Sequence, residues 1–161
     1  MRFLAAISLP LYALDQATKW WILRVSHGDT FWHNPVIPNF FDLVYWQNTG
    51  AAFSVGHGKN GFFIVLSFVA LIGLLIAWAR NVFPDRISRW AVAMLLAGIL
   101  GNVTDRIFHG HVVDFLLFNL HVPFASPWPA FNVADSCICI AVGLFLIASF
   151  RPHPTGAEKS K

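Results

Sequence analysis

The chain has 161 residues, of which 57% are hydrophobic and only 12% charged. Soluble domains carry about 25% charged residues, so the shortfall points to a membrane protein, organised at this length as one domain over residues 1–161. The formal net charge of +3 rests on basic residues scattered along the sequence, with no patch or stripe, and this argues against nucleic acid as a partner.

A bilayer crossing takes about 20 mostly apolar residues, and four segments meet that length. The first runs over about 3–25. Arg2 before an apolar run resembles a secretory leader, but no small-x-small cleavage pattern surrounds Ala13-Leu14-Asp15, and the apolar stretch resumes after Lys19. An uncleaved helix is therefore expected. The loop that follows contains "FFDLVYWQN" (40–48), rich in aromatic and β-branched residues and followed by Thr49-Gly50 as a turn signal. It predicts a short sheet or cradle on the outer membrane surface. "GHGKNG" (56–61) reads as a hinge into the second span, 62–79, which is almost purely apolar.

The third span covers about 90–108 and the fourth about 130–150. Between them, Pro123, Pro127 and Pro129 break any continuous helix and return the chain so that the two span ends meet. A short polar tail, 152–161, is expected to be disordered. Arg2, Arg80, Arg86, Arg89, Arg151, Lys159 and Lys161 fall on one side, whereas the outer loops hold only Lys59. Both termini are thereby assigned to the cytoplasm, with Trp20, Trp21, Trp32, Trp46 and Trp128 suited to the outer interface. The fold class is mainly α: a polytopic membrane protein with four transmembrane helices and a small extracytoplasmic sheet.

Ionisable groups inside such segments are costly and mark function by default. In "GILGNVTDR", Gly98, Gly101, Asn102 and Asp105 share one helical face, flanked by Arg106. Small residues allow close helix approach, so the bland account is a packing seam closed by an Asp–Arg pair. Asp15 and Lys19, at i and i+4, are placed to pair. In the fourth span Asn132, Asp135, Ser136 and Cys139 share a face, and Cys137 points nearly opposite. Two cysteines at that spacing fit no metal or redox motif, and both are read as small packing residues. Ser136 as a nucleophile would need Lys19 as its base.

Asp135 finds its natural partner in Asp114 of "GHVVDF", which the Pro-rich loop brings to comparable depth. Two close carboxylates in a semi-dry site cannot both ionise easily, which gives one base and one acid for attack of water on a peptide carbonyl. His109 and His111 form H-x-H, and His27, His33, His57 and His121 lie in the same loops, but no zinc motif is present and no metal is expected.

In order, "DQATK" (15–19), "NTGAAFS" (48–54), "GILGNVTDR" (98–106), "VVDF" (112–115) and "FNVADS" (131–136) resemble the signature blocks of bacterial lipoprotein signal peptidase, signal peptidase II. The resemblance spans nearly the whole chain. It implies an intramembrane aspartic peptidase of the bacterial inner membrane that needs no cofactor. Its substrates would be diacylglyceryl-modified prolipoproteins, cut just before the lipidated cysteine, with the active site near the outer face. It further implies contact with membrane lipids, inhibition by the cyclic peptide globomycin, and a β-cradle around residues 40–54; a monomer is expected, although nothing in the sequence sets the oligomeric state. Asp114 and Asp135 match the catalytic dyad. Asp15, Lys19, Asn48, Gly98, Asn102, Arg106 and Asn132 match positions that shape, support or bind at the site. The alternative from the residues alone is a small proton-coupled membrane transporter, since ionisable groups in spans also mark ion pathways.

Overall fold

The computed structural model describes residues 1–50, 56, 58–123 and 126–150. The expected disordered tail, most of the "NTGAAFS" block after Gly50, and His57 lie outside the described residues. The chain is mainly helical, with α1 (Arg2–Val25), β1 (His33–Ile37), β2 (Phe41–Asn48), α2 (Asn60–Ala79), α3 (Arg86–Phe108), β3 (Val112–Phe118) and α4 (Val133–Ser149). The strands form one antiparallel sheet in the order β1-β2-β3.

Helix ends follow their caps. The α3 helix starts four residues before the apolar run because the Asp85 side chain accepts from the Ser88 amide at 2.9 Å. Hydrogen bonding from the Ser88 side chain, followed by that amide, holds the Asp85 carboxyl below its ordinary range. The fourth helix begins at Val133 rather than near 130, because Phe131 is hydrogen-bonded to β3 and Asn132 takes the N-cap. By length and composition two of the described helices, α2 and α3, can cross a membrane, and α4 is a shorter apolar helix.

The centre of the fold is α3, which packs against α1, α2 and α4. One apolar cluster joins Leu4, Leu71, Val92, Ala93, Leu96 and Val103, tying α1 and α2 to α3. A second gathers Ile22, Tyr45, Val113 and Phe115, and it seats the sheet on the end of α1. The α2 helix differs from the others: Leu71 is its one buried residue, and its apolar side chains face outward around most of its circumference.

The expected cradle segment is β2, but it is the middle strand of three. A turn closed by Phe40 N–H donating to Ile37 O, with Asn39 at φ 60°, joins it to β1. On its other side β2 pairs with β3, placing Trp46 opposite Asp114 and Asn48 opposite Val112. The chain after α3 is therefore a strand before it becomes the Pro-rich loop.

Candidate active site

Asp114 sits in β3 between Val113 and Phe115, both buried in the second apolar cluster. The amides of Phe115 and Leu116 donate to Phe131 O at 3.0 and 2.9 Å, and Phe131 N–H returns to Leu116 O at 3.1 Å. One residue later comes Asn132, whose Oδ1 accepts from the Asp135 amide at 2.8 Å and caps α4. Backbone pairing thus clamps the strand that carries one carboxylate against the helix start that carries the other.

Two amide side chains then connect the carboxylates. Asn132 Nδ2 donates to Asp114 Oδ1 at 2.7 Å, and also approaches Asn102 Oδ1 at 3.2 Å and Val113 O at 3.3 Å. Asn102 Nδ2 donates to Asp135 Oδ1 at 2.7 Å. From the sheet, Asn48 Nδ2 donates to Asp114 Oδ2 at 3.0 Å. Charge-assisted bonds of this length are stronger than neutral ones and fix carboxylate orientation. Burial, followed by the charge of Asp135, pushes the Asp114 carboxyl up to about 7, against the opposing pull of Asn48, Lys19 and Asn132.

Behind this pair lies a buried ionic layer. Lys19 Nζ contacts Asp15 Oδ2 at 2.9 Å, Asp105 Oδ2 at 3.0 Å and Asn102 Oδ1 at 3.0 Å. Asp15 Oδ1 accepts from the Ala134 amide at 2.8 Å, in the first turn of α4, where an anion also meets the positive end of the helix dipole. Asp105 Oδ2 accepts from the Val113 amide at 3.0 Å, one residue before Asp114. The Gln16 amide reaches Asp15, Asp105 and Gly101 O at 3.1–3.2 Å. One lysine and two aspartates thereby hold α1, α3, β3 and α4 in one register.

This layer corrects the expected Asp–Arg seam. Asp105 pairs with Lys19, and Arg106 Nη2 instead donates to Gly50 O at 2.5 Å, with its guanidinium 5.1 Å from the Phe63 ring. It also removes the Ser–Lys reading. All three donor positions of Lys19 have acceptors, two of them carboxylates, and Ser136 Oγ donates to Asn132 O at 3.0 Å. Sequence reasoning left Asp105 and Gln16 out of the site. Their signals were a fourth position on the Gly98–Asn102 stripe and the second letter of "DQATK".

Gly98 and Gly101 let α3 touch its neighbours. A Cβ on Gly98 would lie 2.5 Å from Ala134 O and 2.6 Å from Ile138 Cγ1, and one on Gly101 would run into the Asp15 carboxylate. Cys137 is buried as a packing residue should be. Cys139 is exposed and lines the cleft, so the packing role expected of it is not what the fold gives it. His111 Nε2 lies 3.2 Å from the Tyr45 hydroxyl, and its burial lowers the imidazole below its ordinary value. His33 instead meets Asp42 across the β1–β2 pair, at 3.1 Å.

Asp114, Asp135, Asn48, Asn102 and Arg106 all line a single open cleft of about 1350 Å³. Its remaining walls are mainly apolar, supplied by α2 (Phe63, Leu66), α3 (Leu95, Ile99), α4 and the sheet. Asp15, Lys19, Gly98 and Asn132 lie behind that surface as its support.

Residues 7–151 match the family described as Signal peptidase (SPase) II. The chain is 43% identical over 155 residues to a lipoprotein signal peptidase of Syntrophotalea carbinolica, covering 93% of this chain and 92% of that protein. It is 39% identical over 160 residues to the lipoprotein signal peptidase of Neisseria meningitidis serogroup B, covering 95% and 92%. Two solved bacterial membrane enzymes, determined by the in meso method at 2.3 Å and 1.9 Å, share its fold. The first aligns with TM-score 0.84 and 30% identity over 100% of this chain and 95% of that one, the second with 0.81 and 31% over 95% and 96%. Fold and comparisons together place the molecule among bacterial membrane enzymes of the aspartic peptidase class. Within that class, the chain belongs to the signal peptidase II family.

Proposed function

We propose that this chain removes the signal peptide from diacylglyceryl-modified prolipoproteins, cutting just before the lipidated cysteine, with Asp114 and Asp135 as the catalytic dyad. The observation that carries the dyad is the short connection between the two carboxylates, from Asp114 through Asn132 and Asn102 to Asp135, on the wall of one cleft. With one proton shared by the pair, one carboxylate takes a proton from water as its oxygen attacks the scissile carbonyl carbon. The other gives its proton to the carbonyl oxygen, forming a tetrahedral diol. The newly protonated carboxyl then gives its proton to the amide nitrogen, while the other carboxylate takes one from a diol hydroxyl. The C–N bond breaks, the carbonyl of the new acid re-forms and the singly protonated pair is restored. The proton belongs to the dyad rather than to one member.

Asn102, Asn132 and Asn48 orient the carboxylates in this reading, and Asp15, Lys19 and Gly98 keep α4 seated. Arg106 Nε, buried with no hydrogen-bond partner among the described residues, is available to a substrate carbonyl. The apolar cleft walls suit a signal helix that arrives laterally through the bilayer, and the same cleft would take globomycin. Four membrane spans, both termini in the cytoplasm of a bacterial inner membrane, an active site near the outer face, and a monomer of one peptidase domain over 1–161 complete the proposal. The outward apolar surface of α2 supports it, because a helix apolar all round needs lipid or protein against it. A proton-coupled transporter would need polar groups through the whole membrane depth, whereas here they gather at the Asp114–Asp135 end.

The test is reconstituted cleavage of a lipidated prolipoprotein. Asp114→Asn and Asp135→Asn are each expected to lose about 10²–10⁴-fold in rate, the usual scale of acid–base catalysis. Ser136→Ala, Cys137→Ala and Cys139→Ala should stay near the parent rate. Full activity in either Asn variant overturns the dyad.

A further inference from the structure

Far from the carboxylates, the helices form a second recess. Phe3 precedes Asp15 by 12 residues and Arg89 precedes Asn102 by 13, so this end lies about 18–20 Å along α1 and α3 from the dyad. Phe3, Arg86, Arg89 and Trp90 line a cleft of about 330 Å³ there. The Arg89 guanidinium lies 5.2 Å from the Phe3 ring and 5.0 Å from the Trp78 ring, and those two rings stack at 6.2 Å. Trp90 meets Phe3 edge-on at 5.7 Å. The fork of Arg89 is thus held by aromatic faces, and among the described residues no ion pair takes its N–H edges, which suit a planar or tetrahedral anion.

Among the described residues neither arginine is ion-paired. The adjacent carboxylate, Asp85, is committed to the Ser88 amide. Arg2 and Arg80 add further positive charge at the same helix ends. An aromatic-walled recess with two guanidinium groups, neither ion-paired among the described residues, at the edge of a membrane helix bundle, has the chemistry of a phosphate-ester site. Basic pockets between spans on the cytoplasmic side bind anionic lipid headgroups in this way.

We propose that Arg86 and Arg89, framed by Phe3 and Trp90, bind the phosphodiester of an anionic phospholipid in the cytoplasmic leaflet. The leaflet rests on the orientation proposed above; the anion site does not. Native mass spectrometry of the detergent-solubilised full chain, incubated with phosphatidylglycerol or phosphatidylcholine, reads the site directly. Wild type should retain one more phosphatidylglycerol than Arg86→Gln/Arg89→Gln, with equal phosphatidylcholine on both. Phosphatidylglycerol should also raise the thermal midpoint of the wild type, and inorganic phosphate at the same concentration should not. Equal phosphatidylglycerol retention by wild type and the double variant overturns the site. Stabilisation by inorganic phosphate matching that of the lipid overturns the lipid as its occupant. Arg89→Lys keeps the charge but loses the fork, so it should weaken phosphatidylglycerol binding several-fold if the double variant fails to fold. Undiminished binding by Arg89→Lys counts against the bidentate contact.

Discussion

Lys19 shows how one side chain sets the site without touching the cleft. Its ammonium is shared by Asp15, Asp105 and Asn102, and all but Asn102 are almost completely buried. Removing one partner from a buried ionic cluster typically costs about 3–5 kcal/mol, because uncompensated charge stays behind. Lys19→Met is therefore expected to lower the thermal midpoint sharply in detergent and to abolish cleavage, whereas Ser136→Ala does neither. Asp114 supplies a pH dependence. Its folded value of about 7 lies above the ordinary 3.8, so its protonated form favours the fold. That contribution is complete below pH 3.8 and is lost as pH rises through about 7. Cleavage follows the same limb: above about pH 7 the carboxylate pair of the free enzyme sheds its shared proton, and kcat/KM should fall up to tenfold per pH unit. A kcat/KM flat from pH 7 to 9 would remove Asp114 from the acid–base pair. That Asp114, Asp135 and the amides joining them would meet was legible in the sequence, because charge and amides stand out in apolar runs. The partner of Asp105 was not: adjacent Arg106 looked nearest in sequence, and only the docking of α1 shows that Lys19 takes it.

At the scale of elements, the contact between α3 and α4 fixes where Asp135 stands relative to Asp114. The two helices touch closely at Gly98, where a methyl would meet Ala134 O at 2.5 Å, a backbone atom in the first turn of α4. Overpacking of this kind costs about 1–3 kcal/mol, and here the strain also displaces the helix start that carries Asp135. Gly98→Ala should lower both the midpoint and the turnover. Gly143, in the same pair of helices, has open space where its Cβ would go, so Gly143→Ala should be neutral or stabilising by up to about 1 kcal/mol. Equal effects of the two changes would mean that the Gly98 contact does not position the site. The four helices and β2 were readable from apolar run length and aromatic content, but β1 and β3 were not. All five β1 residues are exposed and Pro35 interrupts it, so it has neither alternation nor a buried face. In β3 the run Val112–Phe118 is buried on both faces at its start, which hides the period-two signal that marks a half-buried strand.

For the molecule as a whole, the surface of α2 decides what solvent the fold is built for. Val69 stands at the middle of the 20-residue helix and is 62% exposed, with Val65, Phe68 and Ile72 exposed around it. In water, replacing such a residue by arginine relieves an apolar patch and improves solubility. In lipid the same change places a charge at mid-bilayer depth, at a cost of about 2.5–3.5 kcal/mol on insertion scales. The two environments therefore give opposite signs for one substitution. Val69→Arg should reduce the amount of protein recovered from the membrane fraction and its midpoint in detergent. Val82→Arg, at an equally exposed position between α2 and α3, should leave both unchanged, because that segment lies beyond the apolar length of the helix. The contrast also separates lipid from a protein partner. A partner covering α2 would make several of its exposed positions sensitive regardless of depth, whereas a bilayer makes the penalty fall steadily from Val69 toward Asn60 and Ala79. An arginine scan along the outward face of α2, read as membrane-fraction yield, distinguishes these profiles, and a flat profile would overturn the lipid-facing assignment.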